Sequence, residues 1–181
     1  MPVQPDQPIG PFPPDADPAE YDKLRRRVLW TMPSGLYVVG SRDGDRRNLM
    51  TLNWATQLSS APKLLGISVE AAALTHQLIH AGRAFTLSIV DREDRAIVRK
   101  FTKPVEADLD AQTLNGFGYT ERTTGVPILA QAVAWLECAV REEVPVGDHT
   151  LFVGEVVNAG FGKDEATPVL RMEDTRMNYG G

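Results

Sequence analysis

Four uncharged residues at alternate positions form a group that can bind a flat ligand. They are Thr51, Asn53, Ala55 and Gln57. In an extended strand, residues two apart lie on the same face. Hydroxyl and amide groups can hydrogen-bond the edge of a heteroaromatic ring, and the small side chain of Ala55 lets such a ring approach the backbone. The pattern predicts a planar cofactor, although a solvent-facing strand surface would carry the same residue types.

The remaining chemically capable residues form weaker patterns. His76 and His80 stand four apart, a spacing that places two imidazoles on one helix face, but the catalytic glutamate of zinc helices is missing, and we expect no metal site. Cys138 is the single cysteine. It lies in an alternating strand pattern, where a thiol behaves as a small hydrophobic group, and we assign it no redox role.

Charge and composition exclude several classes of partner. The chain has 181 residues with 19 Lys and Arg against 24 Asp and Glu, a net charge of −5. Without a dense basic block, neither nucleic acid nor a membrane surface is expected as a partner. The single cysteine favours a reducing compartment, and we expect a cytoplasmic protein, because the sequence has neither an export signal nor an apolar run of about 18 residues.

Proline content and polarity divide the chain into three predicted parts. These are a proline-rich arm over 1–17, a folded domain over 18–165 and a polar tail over 166–181. The arm is either a disordered leader or a strap over a partner subunit, and the sequence leaves this open. Within the tail, Pro168–Leu170 is a candidate for a short strand.

The folded part reads as mainly β with flanking helices. A capping pattern predicts a helix from Pro18 to about Trp30. Two further helices are predicted, one over 75–80 capped by Thr75 and one over about 91–101. Strands are predicted over 36–41, 48–58, 64–70, 85–90, 132–144 and 149–161. Six antiparallel strands favour a closed or nearly closed barrel, since closure removes exposed edges.

Four sequence blocks occur in a distinctive order over about residues 24–160. They read TMPSGLYVVGSRDGDRRNLMTLNWATQLSSAPKLLGISVE, LTHQLIHAGRAFTLSIVDREDRAIVRKF, GVPILAQAVAWLECAV and GDHTLFVGEV. Together they resemble the flavin reductase family with the FMN-binding split-barrel fold. The resemblance implies a six-stranded Greek-key split β-barrel that is usually a homodimer, with FMN or FAD near the subunit interface and NADH or NADPH as cosubstrate.

The resemblance also implies roles for individual residues. The isoalloxazine ring and ribityl chain would be lined by Thr51, Leu52, Asn53, Trp54, Ala55, Gln57 and Ser59. The phosphate would lie against Thr75 and His76 at a helix start. Lys100 would neutralise it, and Phe101 would cover the flavin or adenine. His149 would contact the nicotinamide or move protons to and from the reduced ring.

Two departures and several structural alternatives accompany these roles. Asn48 stands where many family members have glycine, and Trp54 with Ala55 replaces a more frequent Ser-Phe pair, which puts the shape of the ring pocket in question. A solvated helix end for Lys100 and core packing for Phe101 are the alternatives to cofactor contact. A structural hydrogen bond at the strand start is the alternative role for His149.

The implied function is an NAD(P)H-dependent flavin reductase that transfers a hydride to bound FMN or FAD. Reduced flavin would either pass to a partner monooxygenase or stay as a prosthetic group. The alternative is an FMN-binding electron-transfer protein or sensor of the same fold without significant NAD(P)H turnover. The sequence lacks a dinucleotide fingerprint, so NAD(P)H would be a transient cosubstrate.

Overall fold

A computed structural model describes residues 8–103 and 105–175, which fall into two compact units, 8–33 and 34–175. The first contains helix α1, Pro18–Leu29. The Asp17 carboxylate accepts the Glu20 amide proton at 2.9 Å, which confirms the predicted helix start. Residues 1–7 of the predicted arm and 176–181 of the predicted tail lie outside the described residues. The boundary between the units follows Pro33, and the division of the chain at residue 18 stays a prediction.

Strands dominate the second unit. They are β1 (Tyr37–Asp43), β2 (Arg46–Leu52), β3 (Ala55–Ser60), β4 (Lys63–Glu70), β5 (Ala84–Ile89), β6 (Ala107–Asp108), β7 (Thr113–Leu114), β8 (Phe117–Thr120), β9 (Ile128–Leu129), β10 (Ala134–Val146) and β11 (His149–Phe161). The main sheet is antiparallel in the order β2-β1-β5-β10-β11-β4-β3, and β6 to β9 form a second, small sheet. Helix α2 is Leu74–Gly82, and 3-10 segments cover Arg92–Asp94, Ile97–Phe101 and Met172–Asp174.

The mainly β class with flanking helices is confirmed, but the sheet does not close into a barrel. The main sheet has seven strands instead of the predicted six, and the predicted Greek-key connectivity is not confirmed. β2 and β3 are the two edges and do not pair with each other, yet only Asn53 and Trp54 join them in the chain. Three Cα–Cα steps limit the distance from Leu52 to Ala55 to about 11 Å. The sheet must therefore curl until its edges meet at this two-residue link.

The prediction of one continuous strand over 48–58 is wrong, because the link interrupts it. Leu52 belongs to the main hydrophobic core, and Ala55 packs against the same core, whereas residues three apart in one strand face opposite sides. Thr51 faces the other side, where its hydroxyl donates to the carbonyl oxygen of Val98. The row of uncharged side chains predicted at Thr51, Asn53, Ala55 and Gln57 does not continue across the link.

The main core lies on the inner side of the curled sheet and includes helix α2. Its buried members are Val39, Leu52, Leu65, Ile67, Val69, Ile79, Phe85, Leu87, Cys138, Val140 and Phe152. Burying side chains of this size stabilises a fold by about 1.5–3 kcal/mol each. The helix packs tightly on β1 at Gly82, where an added Cβ would meet the Arg42 carbonyl oxygen at 2.0 Å.

Two predicted helices differ from the observed elements. Helix α2 begins at Leu74, one residue before Thr75, and the N-cap position is Ala73. Thr75 lies in the first turn, where its hydroxyl oxygen accepts the amide of Asn48 at 2.8 Å, so it is not the cap. The helix predicted over about 91–101 is replaced by two of the 3-10 segments. Within 8–103 and 105–175, no helix is long and apolar enough to cross a membrane.

Part of the predicted tail is paired with the second unit. Val169 forms an isolated antiparallel bridge with Asp91. The Leu170 amide donates to the carbonyl oxygen of Val90 at 2.8 Å. The strand expected over Pro168–Leu170 is therefore reduced to this local pairing.

Glu137 in β10 carries a carboxylate with no exposed surface. It accepts the Thr124 amide at 2.8 Å, the Thr124 hydroxyl at 2.7 Å, the Asn158 amide at 2.7 Å and the Thr123 amide at 3.2 Å. Burial acts to raise the pKa of Glu137, but these donors outweigh burial and hold the pKa below its usual value. The charged form therefore ties residues 123 and 124 to the β10–β11 hairpin.

Replacing this carboxylate should destabilise the fold. Glu137→Gln presents an N–H group to existing donors and should lower the free energy of unfolding by about 1–3 kcal/mol at neutral pH. Since folding lowers the pKa, the stabilisation exists above the unfolded-state pKa and disappears as the pH falls through the lower folded-state pKa. Urea unfolding of the wild type and the variant, at neutral pH and at acidic pH, measures this difference in the free energy of unfolding. Exposed Glu142→Gln is the control, and equal losses in both variants would contradict the assignment.

Candidate functional site

The link between the two sheet edges combines a buried amide with an exposed aromatic ring. Asn53 is only 7% exposed, and its side-chain amide makes no hydrogen bond within the described residues, whereas Trp54 is 37% exposed. The carbonyl oxygen of Trp54 accepts the Ser68 amide of β4 at 3.0 Å, which holds the link against the sheet. A largely buried amide that makes no hydrogen bond to the protein can offer its donor and acceptor to a ligand.

His149 lies beside this link. Its ring centroid is 4.9 Å from that of Trp54, with the planes inclined at 51°. The Asp148 carboxylate lies 2.7 Å from Nδ1, and its hydrogen bond with His149 lowers the pKa of Asp148. A carboxylate can only accept, so the imidazole carries its proton on Nδ1. With this tautomer, Nε2 can accept a hydrogen bond from a ligand or take up a proton. The turn that precedes His149 passes through Gly147 at φ +65°.

A basic segment borders the other side of β2. The hydrogen bond from Thr51 to Val98 ties β2 to the 3-10 segment Ile97–Phe101. Arg99 and Lys100 at its end are exposed, and neither forms an ion pair within the described residues. Two exposed cations without carboxylate partners are available to bind an anionic group.

Phe101 is placed for packing rather than for ligand contact. It is 1% exposed, and its ring centroid lies 5.6 Å from that of Phe117. The Asn115 amide donates to the carbonyl oxygen of Lys100 at 2.7 Å, which holds the end of the 3-10 segment. The core-packing alternative therefore describes Phe101 in this structure.

Thr75 and His76 point into the protein instead of toward a ligand. Thr75 is 1% exposed, and its hydroxyl is engaged by Asn48. Nε2 of His76 lies 2.8 Å from the hydroxyl of Thr150. Both side chains have partners within the protein, and their predicted contact with a phosphate stays a prediction.

The other predicted ring-lining residues are dispersed. Leu52 and Ala55 contribute to the core. Gln57 donates to the carbonyl oxygen of Ser59 at 3.2 Å, toward the hairpin end of β3. The structure therefore brings Asn53, Trp54 and His149 together, with Thr51 connecting them to Lys100.

Sequence reasoning missed the long-range partners of these residues. The contacts from Thr51 to Val98 and from His76 to Thr150 join residues 47 and 74 positions apart, and no local pattern signals them. Asp148 differs from these residues, because an acid beside a histidine is a common orienting pair and is visible in the sequence itself.

His80 and Cys138 were the remaining candidates for metal or thiol chemistry, and both have other surroundings in the described part of the chain. Nδ1 of His80 lies 2.7 Å from the Glu143 carboxylate, and within the described residues no three His, Cys, Asp or Glu side chains are grouped to hold a metal ion. Cys138 is fully buried, and burial raises its pKa to about 12, so no reactive thiolate forms near neutral pH.

The arrangement fits an elongated ligand with a flat ring at one end and an anionic group at the other. The unpartnered amide of Asn53 and the exposed ring of Trp54 match a heteroaromatic ring with polar edges. The exposed cations Arg99 and Lys100 match a phosphate. A flavin nucleotide has both features.

Sequence comparison finds related proteins over most of the chain. Residues 29–180 match the family model described as flavin reductase like domain. An NADH-dependent FAD reductase of Streptomyces globisporus is 35% identical over 146 residues, covering 79% of this chain and 78% of the relative. A high molecular weight rubredoxin of Moorella thermoacetica is 31% identical over 74% of this chain, which spans only 58% of that relative's length.

Solved structures show the same likeness. The NADH:FAD oxidoreductase of Streptomyces globisporus C-1027 has a TM-score of 0.76 and 30% identity, covering 92% of this chain and 96% of that chain. The same protein in complex with NAD and FAD fragments has a TM-score of 0.71 and 31% identity, covering 86% and 89%. The styrene monooxygenase flavin reductase of Pseudomonas putida S12 has a TM-score of 0.68 and 26% identity, covering 82% and 90%.

Proposed function

This chain belongs to the family of flavin reductase-like domains, and we propose from that premise that it is an NAD(P)H:flavin oxidoreductase. The observation that carries the proposal is the link where the buried amide of Asn53, the ring of Trp54 and the imidazole of His149 lie together. A bound FMN or FAD would supply the redox chemistry by accepting a hydride from NADH or NADPH. The protein's part is to bind and orient both molecules.

Asn53 and the basic segment would hold the flavin at its two ends. The unpartnered amide of Asn53 would hydrogen-bond the polar edge of the ring. Lys100, with Arg99 beside it, would bind the phosphate. Thr51 lies two residues before Asn53, and its bond to Val98 connects β2 with the segment that carries Arg99 and Lys100.

His149 would serve the nicotinamide side of the ring. Asp148 keeps the imidazole proton on Nδ1, so that Nε2 can accept a hydrogen bond or a proton from the bound reactants. The ring of Trp54 limits how far the imidazole can swing. The remaining predicted cofactor contacts stay predictions; they are Leu52, Ala55, Gln57, Ser59, Thr75, His76 and Phe101.

Relatives indicate which cosubstrates and partners to test first. The NADH-dependent FAD reductase supports NADH and FAD as the first pair, with NADPH and FMN as the comparison. The styrene monooxygenase flavin reductase supports transfer of the reduced flavin to a separate monooxygenase. The relative named as a rubredoxin is the reason to test a second function, which is flavin-dependent electron transfer without NAD(P)H turnover. The cytoplasmic location stays a prediction.

An apolar face of the sheet supports assembly into a homodimer. The strand register places Val144 opposite Leu151 and Val146 opposite His149, so these side chains share the outer face. Val144 and Val146 are 39% and 45% exposed. Leu58, at 44% exposure, adds to the face, which includes His149, and a second copy would cover it close to the proposed site.

Turnover tests the activity directly. The protein should oxidise NADH or NADPH in proportion to added FAD or FMN, and His149→Ala should lower kcat by about 100-fold through loss of proton transfer while the flavin Kd changes less than about twofold. Flavin titration and stopped-flow absorbance measure the two quantities. His149→Gln retains a hydrogen bond without a titrating group and distinguishes contact from proton transfer. Tight flavin binding without turnover in the wild type would favour electron transfer instead.

Flavin affinity tests the phosphate subsite. Lys100→Ala should raise the flavin Kd by about tenfold, the loss of one charge-assisted contact, and the loss should shrink at high salt. Fluorescence titration with FMN measures it, and riboflavin, which has no phosphate, should bind both proteins alike. Lys63→Ala, an exposed lysine on β4, is the control. An unchanged Kd for FMN in Lys100→Ala would remove this residue from the site.

Light scattering after size exclusion tests the homodimer. The wild type should elute with twice the mass of the 19.9 kDa chain, and Val144→Lys should shift it to the monomer, because it places a charge in the proposed interface. Val169→Lys, at a similarly exposed valine, is the control and should leave the mass unchanged. A monomeric wild type at micromolar concentration would reject the proposed interface.

A further inference from the structure

His149 and Thr150 are neighbours on β11 that face opposite sides of the sheet. His149 is on the outer face beside Trp54. Thr150 is 7% exposed and turns toward helix α2. Because successive residues of a strand alternate, the orientation of one side chain constrains the other through a single peptide unit.

The inward contact is made by His76 of α2. Its Nε2 lies 2.8 Å from the Thr150 hydroxyl. Its ring meets the edge of Phe152 at a centroid distance of 5.1 Å and stacks on His80 at 6.4 Å, with planes 9° apart. The imidazole is thus held by packing on two sides before it contacts Thr150, and it has little freedom to follow a movement of the strand.

The same helix anchors the preceding strand. The Glu143 carboxylate of β10 lies 2.7 Å from Nδ1 of His80 and accepts the guanidinium of Arg83. Arg83 also donates to the carbonyl oxygen of Val140 at 3.3 Å. It adopts a left-handed conformation, φ 55°, which a residue with a side chain rarely takes without a reason. Helix α2 therefore contacts both strands of the hairpin that carries His149.

We propose that His76 and Thr150 are positioning residues that set the orientation of His149 in the active site. This inference rests on the proposed function. His149 is the first residue of β11, directly after the turn at Gly147, where a strand is prone to fray. The bond from α2 to Thr150 fixes the strand one residue inside that end. Near neutral pH the imidazole of His76 is uncharged, because burial lowers its pKa and the neighbouring His80 lowers it further.

Kinetics of Thr150 variants provide the first test. Thr150→Val keeps the side-chain shape but removes the hydroxyl, and we expect kcat/KM for NADH to fall by about 10- to 100-fold, as for a displacement of about 1 Å at the reacting groups. The flavin Kd should stay within about twofold. Thr150→Ser should restore most of the activity. Thr86→Val is the matched control, because it removes a buried hydroxyl that donates to the carbonyl oxygen of Pro127 at 2.6 Å without contacting the site.

A double mutant separates positioning from general destabilisation. If Thr150 acts through His149, then Thr150→Val should add less than about a twofold loss in the His149→Ala background, because coupled residues are not additive. Equal losses in both backgrounds would overturn the proposal. His76→Phe removes the nitrogen but keeps the ring beside Phe152, and it provides a second variant if Thr150→Val folds poorly.

A readout without cofactor distinguishes this proposal from the proposed function. The imidazole resonances of His149, followed by NMR in the free protein, should move in Thr150→Val and His76→Phe, return in Thr150→Ser and stay in place in Thr86→Val. Unchanged resonances in His76→Phe would overturn the positioning role even in an active enzyme. A wild type without NAD(P)H turnover would instead reject the proposed function while the resonances still report on the contact.

Discussion

The two-residue link between β2 and β3 constrains the rest of the second unit. The strands it joins are opposite edges of one seven-stranded sheet, so the sheet has to curl, and the curl creates the inner side on which Leu52, Ala55 and Phe152 pack. At the link the chain leaves the edge of β2 and reaches the edge of β3, where the Ser68 amide of β4 donates to the carbonyl oxygen of Trp54. The link leaves the side chain of Asn53 largely buried, with no hydrogen bond to the residues that the structure describes, and the ring of Trp54 at the surface. The candidate site lies at this link because the chain passes there from one edge of the sheet to the other.

Two kinds of contact hold this geometry. Apolar burial supplies most of the stabilisation but has no directional preference, so it does not orient individual side chains. Directional contacts do so at a few points, such as the hydrogen bonds of Asn48 with Thr75 and of His76 with Thr150. These contacts join α2 to strands distant in the chain. Loss of one would leave a buried polar group without its partner and would also release the orientation of the neighbouring residues.

Sequence periodicity predicted those elements whose neighbours lie nearby in the chain. The strands near 64–70 and 149–161 and the start of α1 were found, because alternation and capping are local signals. The prediction of one strand over 48–58 is wrong. Apolar and polar residues continue to alternate through the link, so the sequence pattern does not show where the strand is interrupted. Asn53, Trp54 and His149 were candidates from the resemblance. The inward orientation of Thr75 and His76 depends on contacts with Asn48 and Thr150, which no local pattern contains.

The distribution of charge favours one orientation for a bound nucleotide. The fold can bury a full charge where donors surround it, as Glu137 shows with four hydrogen bonds. At the link, in contrast, Asn53 and Trp54 are neutral. Two cations, Arg99 and Lys100, lie on the exposed segment Ile97–Phe101, where they remain hydrated at little cost. An anionic group is therefore attracted to that segment and a neutral ring to the link, and Thr51 on β2 connects the two.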